Sequence, residues 1–178
     1  MLRSVAVAFA LVSLGCTVPV QPADAATFDF ATLAQTPGAQ GGGEGFWANQ
    51  ITTVGDKYTV GGIGVVASAS GDPLAKAYLD AFSGGLPAGL GVCSTSSGCS
   101  GTSDDNVGRV RDTGAVTETL TLKFDTTVKL TDLLFRNRDH GVFVGSLMIN
   151  GISFTTNAAG ELTSAALTLL AAVDTFNL

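Results

Sequence analysis

The sequence predicts an all-β protein: a single β-sandwich domain, jelly-roll-like, over residues 26–178, behind a secretory signal peptide over residues 1–25. Three observations carry this. Short runs alternate apolar and polar residues with the period of a half-buried strand, most cleanly ETLTLKF from Glu118 to Phe124. The runs are rich in β-branched and aromatic residues, which suit a pleated surface. Glycine-rich turns separate them, among them Asn150-Gly151, a strong two-residue hairpin signal. Eight or more short strands punctuated in this way imply two packed antiparallel sheets.

In chain order, Thr27 to Leu33 (TFDFATL) alternates and reads as a first strand, followed by a glycine-rich loop from Pro37 to Gly45. Asn49 to Val54 reads as a short strand and Gly55-Asp56 as a turn. Lys57 to Ser68 reads as one long strand with a bulge at Gly61-Gly62. For Asp72 to Phe82 the local signals favour a helix capped by Asp72 with Pro73 in its first turn, while the strand-rich context favours a strand; strand is preferred. In Glu118 to Phe124, Leu120, Leu122 and Phe124 share one face; a turn at Asp125-Thr126-Thr127 would return the chain along Val128 to Phe135 as a hairpin. Val142 to Asn150 and Ile152 to Thr155 form a second hairpin, Glu161 to Val173 is open between helix and strand, and Asp174 to Leu178 reads as a last strand.

The first 25 residues read as a secretory signal: Arg3, an apolar run from Val5 to Leu14 too short to span a bilayer, and the small-x-small site Ala23-Asp24-Ala25. A rival reading takes Ser13-Leu14-Gly15-Cys16 as a lipoprotein site acylated on Cys16; the soluble reading is preferred because Ser13 is polar where that pattern wants an aliphatic residue. No later apolar run is long enough for a transmembrane segment. Nine Lys and Arg against fifteen Asp and Glu disfavour nucleic acid and anionic membranes as partners, and leave cations, neutral glycans or other proteins. In an oxidising compartment Cys93 and Cys99 read as a disulfide that closes a small ring, pinning a surface loop with a stabilisation of about 2 kcal/mol.

The block from Ala77 to Val110, with GLGVC, a second Cys and Ser103-Asp104-Asp105-Asn106, followed by TETLTLKF and Asp139-His140-Gly141, resembles exported bacterial proteins of the PEP-CTERM type. The likeness spans roughly Ala77 to Gly141. It implies an extracellular β-sandwich tied to the envelope or an exopolysaccharide matrix, and no particular catalysis. The chain departs from that pattern at its end, where Asp174 to Leu178 stand in place of a Val-Pro-Glu-Pro motif, apolar helix and basic tail. Truncation and simple secretion are the two expectations.

The polar residues of this block are the candidate site. Asp104, Asp105, Asn106 and Asp139 supply hard oxygen ligands of the kind calcium takes, so Ca2+ is the candidate cofactor, although no EF-hand spacing is present. The competing reading makes them turn residues, with Arg109, Arg111, Arg136 and Arg138 as surface counter-charges. Trp47 is read first as a core anchor and second as a sugar-stacking platform. His140, the sole histidine, is read first as a turn residue bonded to backbone and second as a ligand contact. Gly-x-Ser-x-Gly is missing, and one histidine cannot make HExxH. The glutamates are Glu44, Glu118 and Glu161, with Glu118 expected to be solvated at the start of its strand. The expectation is therefore a secreted, non-enzymatic cell-surface or matrix protein binding a glycan or matrix polymer. The alternatives are a structural subunit self-associating through the C-terminal strand edge, and a polysaccharide-active hydrolase.

Overall fold

The computed structural model describes residues 25–35, 43–52, 55–81, 88–95, 99, 118–137 and 140–178. The larger sheet joins β2 (Tyr58–Val60), β3 (Ile63–Ser70), β6 (Thr119–Val128) and β11 (Val173–Asn177) in the antiparallel order β11-β6-β3-β2. The smaller joins β1 (Gly45–Phe46), β4 (Lys76–Asp80) and β5 (Gly89–Cys93) in the order β1-β4-β5. Apolar residues from both sheets meet in one core, giving the sandwich-like all-β fold that the alternation predicts.

Register explains the core. Val65 pairs with Phe124, Ala67 with Leu122, and Leu122 with Phe176, so these side chains stack on the inner face of the larger sheet. Phe124 and Phe176 meet edge to face with ring centres 6.0 Å apart. Ala77, Leu79 and Val92 complete the same core from the smaller sheet. Each large apolar side chain buried there contributes about 1.5–3 kcal/mol. The shared face of Leu120, Leu122 and Phe124 is buried, as their alternation predicts.

Several local expectations are corrected. The first strand is a helix, α1 (Phe30–Gln35). Asp29 overrides the alternation by capping it: Oδ1 accepts from the Thr32 N–H at 2.9 Å and Oδ2 from the Thr32 hydroxyl at 2.7 Å. In place of the short strand from Asn49 there is one helical turn, α2 (Trp47–Gln50), with Ile51 buried behind it. Gly61 and Gly62 do not form a bulge. Both have positive φ, +57° and +81°, and make the two-residue turn of a β2–β3 hairpin, a conformation glycine adopts without strain. The turn expected at Asp125 is absent because β6 runs on to Val128 and takes β3 and β11 as neighbours. Asp125 is a cross-strand latch: Oδ1 accepts from the Gly64 N–H at 3.0 Å, and Oδ2 lies 3.5 Å from Lys57 Nζ. A Cβ on Gly64 would lie 2.7 Å from that carboxylate.

The preferred strand after Asp72 is β4. Asp72 spends its capping capacity on a tight turn instead, accepting from the Leu74 N–H on its side chain and from the Ala75 N–H on its carbonyl. The second predicted hairpin forms as β8 (Ser146–Ile149) and β9 (Ile152–Thr155), with Asn150 and Gly151 at φ +50° and +79°. The expected partner strand from Val128 is reduced to β7 (Leu133–Leu134), which pairs with β10 (Glu161–Leu162), and a 3-10 turn (Ala166–Leu169) occupies part of the region left open. Among the described residues no helix is long and apolar enough to cross a membrane.

Replacing Asp29 by Ala removes both cap bonds and is expected to cost about 1 kcal/mol in urea unfolding. These bonds hold the Asp29 carboxyl below its ordinary value of 3.8. A lowered folded-state pKa stabilises the protein above the unfolded value, and this stabilisation fades as pH falls through the lower one. The difference between wild type and Asp29→Ala should therefore shrink below about pH 4.

Candidate functional site

The site is built on the outer face of β4 and β5. Strand periodicity sends Ala77 and Leu79 of β4, with Val92 of β5, into the core, and Lys76, Tyr78 and Asp80 to the other side. Their partners in the pairing are Cys93, Gly91 and Gly89. Cys93 and Cys99 are joined by the predicted disulfide, and both are 0% exposed. Tyr78 packs beneath them in a cluster separate from the main core, with Phe46 against it at a ring distance of 5.6 Å. Lys76 Nζ lies 4.8 Å from the centre of the Phe46 ring, a cation–π contact at the rim.

Tyr78 and Glu118 are each hydrogen-bonded here. The Tyr78 hydroxyl donates to Glu44 Oε1 at 3.2 Å and accepts from the Cys99 N–H. Burial, followed by the charge and hydrogen bond of Glu44, pushes the phenol up to about 12. Glu118, expected to be solvated, is instead 2% exposed and accepts a hydrogen bond from the Ser94 hydroxyl. The two residues that bound segment 100–117 are thereby fastened to successive residues at the end of β5, Cys99 to Cys93 and Glu118 to Ser94.

At the far end of β4, Asp80 Oδ2 meets His140 Nε2 at 2.8 Å, with side-chain exposures of 16% and 13%. His140 sits at φ +60° in a turn where its N–H donates to the Asn137 carbonyl and Asn137 Oδ1 accepts from the Gly141 N–H. The turn-residue reading of His140 is thus met by its backbone, while its ring ties that turn to the smaller sheet. Trp47 is a core residue, 2% exposed, with its indole N–H donating to the Asp56 carbonyl at 2.9 Å. Burial of this kind fits the anchor reading and leaves negligible surface for a sugar ring. A shallow cleft of about 220 Å3 opens beside it, between Phe46, Ser68, Ala69 and Lys76.

Asp104, Asp105, Asn106 and Asp139 lie outside the described residues. Among the described residues no group of three or more His, Cys, Asp or Glu is placed to hold a metal. Reading the sequence missed Asp80, Glu44 and the buried state of Glu118. The available signal was the alternation of Lys76, Tyr78 and Asp80 opposite Gly89, Gly91 and Cys93. No protein-family model, curated protein or solved structure matches the chain.

Two outcomes follow from this geometry. Both tyrosines, Tyr58 and Tyr78, are held above the ordinary phenol value of 10. A raised folded-state pKa stabilises fully below the unfolded value and is lost as pH climbs toward the folded one. Absorbance at 295 nm should show no ordinary tyrosine titrating in the native protein, and stability should fall between about pH 10 and 12. Replacing His140 by Ala removes a partly buried charged hydrogen bond and should lower unfolding stability by about 1–3 kcal/mol, measured in urea at neutral pH.

Proposed function

We propose that the chain is a secreted, non-enzymatic β-sandwich protein of the bacterial cell surface or extracellular matrix that binds a neutral glycan or matrix polymer. The observation that carries this reading is the fastening of Cys99 and Glu118 to the adjacent residues Cys93 and Ser94. Fixing the two ends of a segment on a sheet lowers the entropy lost when that segment engages a ligand. The segment holds Asp104, Asp105 and Asn106, so the calcium expectation attaches to it. Phe46 and Lys76, at the rim of the same face, add an aromatic ring and a donor of the type that sugar hydroxyls and ring faces engage. The net charge of −6 supports a neutral over an anionic polymer.

A resemblance to PEP-CTERM-type exported proteins supports the same setting. The non-enzymatic reading draws support from the sequence, which holds one histidine and lacks Gly-x-Ser-x-Gly.

Binding to a panel of neutral and acidic polysaccharides, measured by affinity electrophoresis in calcium and again in EDTA, checks the reading. The expected result is retention on a neutral polymer, weakened roughly tenfold or more by Asp104→Ala with Asp105→Ala at unchanged melting temperature. Absence of retention in both conditions, or reducing-sugar release from any polymer, would overturn it.

A further inference from the structure

Asn150-Gly151, the β8–β9 turn, is the one Asn-Gly pair in the sequence. Both residues are exposed, at φ +50° and +79°. A Cβ placed on Gly151 would meet no atom within 4 Å beyond its chain neighbours, so nothing crowds the glycine end of the turn. The Asn150 side chain, by contrast, is held at both ends of its amide by the C-terminal strand β11. Oδ1 accepts from the Asn177 N–H at 2.8 Å, and Nδ2 donates to the Thr175 carbonyl at 3.2 Å. A third bond, from the Asn150 N–H to the Asn177 carbonyl at 2.9 Å, is made by backbone alone.

We infer that Asn150 is a site of spontaneous deamidation, and that its two amide bonds to β11 withhold it from that reaction while the protein is folded. In the reaction the Gly151 backbone nitrogen attacks Cγ of Asn150. A C–N bond forms, and the side-chain nitrogen leaves as ammonia with the proton lost by Gly151, closing a succinimide ring. Water then opens the ring at either carbonyl. The sum is asparagine plus water giving aspartate or isoaspartate plus ammonia, with no redox change. Glycine permits the attack because it has no Cβ beside its nitrogen. The other five asparagines precede Gln50, Val107, Arg138, Ala158 and Leu178, whose side chains hinder it. With the amide fixed on β11, Cγ turns toward Gly151 only after local opening, so opening gates the rate. The change runs one way. In the aspartate product a carboxylate oxygen replaces Nδ2, so two acceptors face each other at the Thr175 carbonyl and that bond is lost, while the backbone bond to Asn177 remains. This inference is independent of glycan binding.

The test incubates the chain at mildly alkaline pH, folded and in guanidinium, and follows each asparagine by peptide mass spectrometry. Asn150 is expected to convert first in guanidinium, and about tenfold or more slowly in the folded protein. Asn177→Pro removes the N–H that holds Oδ1 and keeps the carbonyl that takes the Asn150 N–H. Folded by circular dichroism, it should convert Asn150 severalfold faster than folded wild type. Asn150→Asp, the direct product, should melt below wild type at neutral pH. Equal rates in the folded and unfolded chain, another asparagine converting ahead of Asn150, or an Asn150→Asp protein as stable as wild type would each overturn the inference. So would a folded Asn177→Pro that keeps the wild-type rate; if that variant does not fold, the folded-to-unfolded ratio of wild type decides.

Discussion

The two-residue period of β4 and β5 is the constraint on which the rest of the molecule depends. Leu79 and Val92 must enter the core, because they supply the smaller sheet's share of its apolar surface. That requirement fixes the orientation of every other residue on the two strands. Tyr78, Cys93 and Asp80 are sent to the opposite face by geometry alone. Shifting the register by one residue would bury Asp80 and expose Leu79, so the core packing and the outer polar face are specified together.

Once these groups are on the outer face, their low exposure demands partners. The disulfide, the Tyr78–Glu44 bond and the Ser94–Glu118 bond supply such partners. The small glycines opposite Tyr78 and Asp80 leave room for the larger side chains to lie over β5. The consequence is a sheet rigid on its inner side, with the residues bounding a polar segment anchored on its outer side. A binding function would draw on that scaffold, since positional precision comes from the rigid elements that carry a site.

The second consequence concerns edges. A sandwich of short strands leaves unpaired backbone at its margins. Here Asn150, in the β8–β9 turn, closes the outward side of β11. It is a short polar side chain on an element outside the strand it protects. This places edge protection in the tertiary arrangement rather than in the edge sequence.

The sequence by itself determined what depends on local periodicity and local turn chemistry. The all-β class, the buried face of Leu120, Leu122 and Phe124, the Asn150-Gly151 hairpin and the Cys93–Cys99 ring all rest on residues close in the chain. Tertiary structure decided what depends on distant partners. TFDFATL alternates like a strand, yet Asp29 caps a helix there that packs Leu33 and Ala34 onto the core. The partner of β6 was sought in the next segment and lies instead in β3 and β11, because burying Phe124 required Val65 and Phe176. Of the candidate site, the two cysteines were legible because six positions separate them. The pairing of Asp80 with His140, and of Glu118 with Ser94, was not: each joins residues far apart in sequence that only the stacked sheets bring within hydrogen-bonding reach.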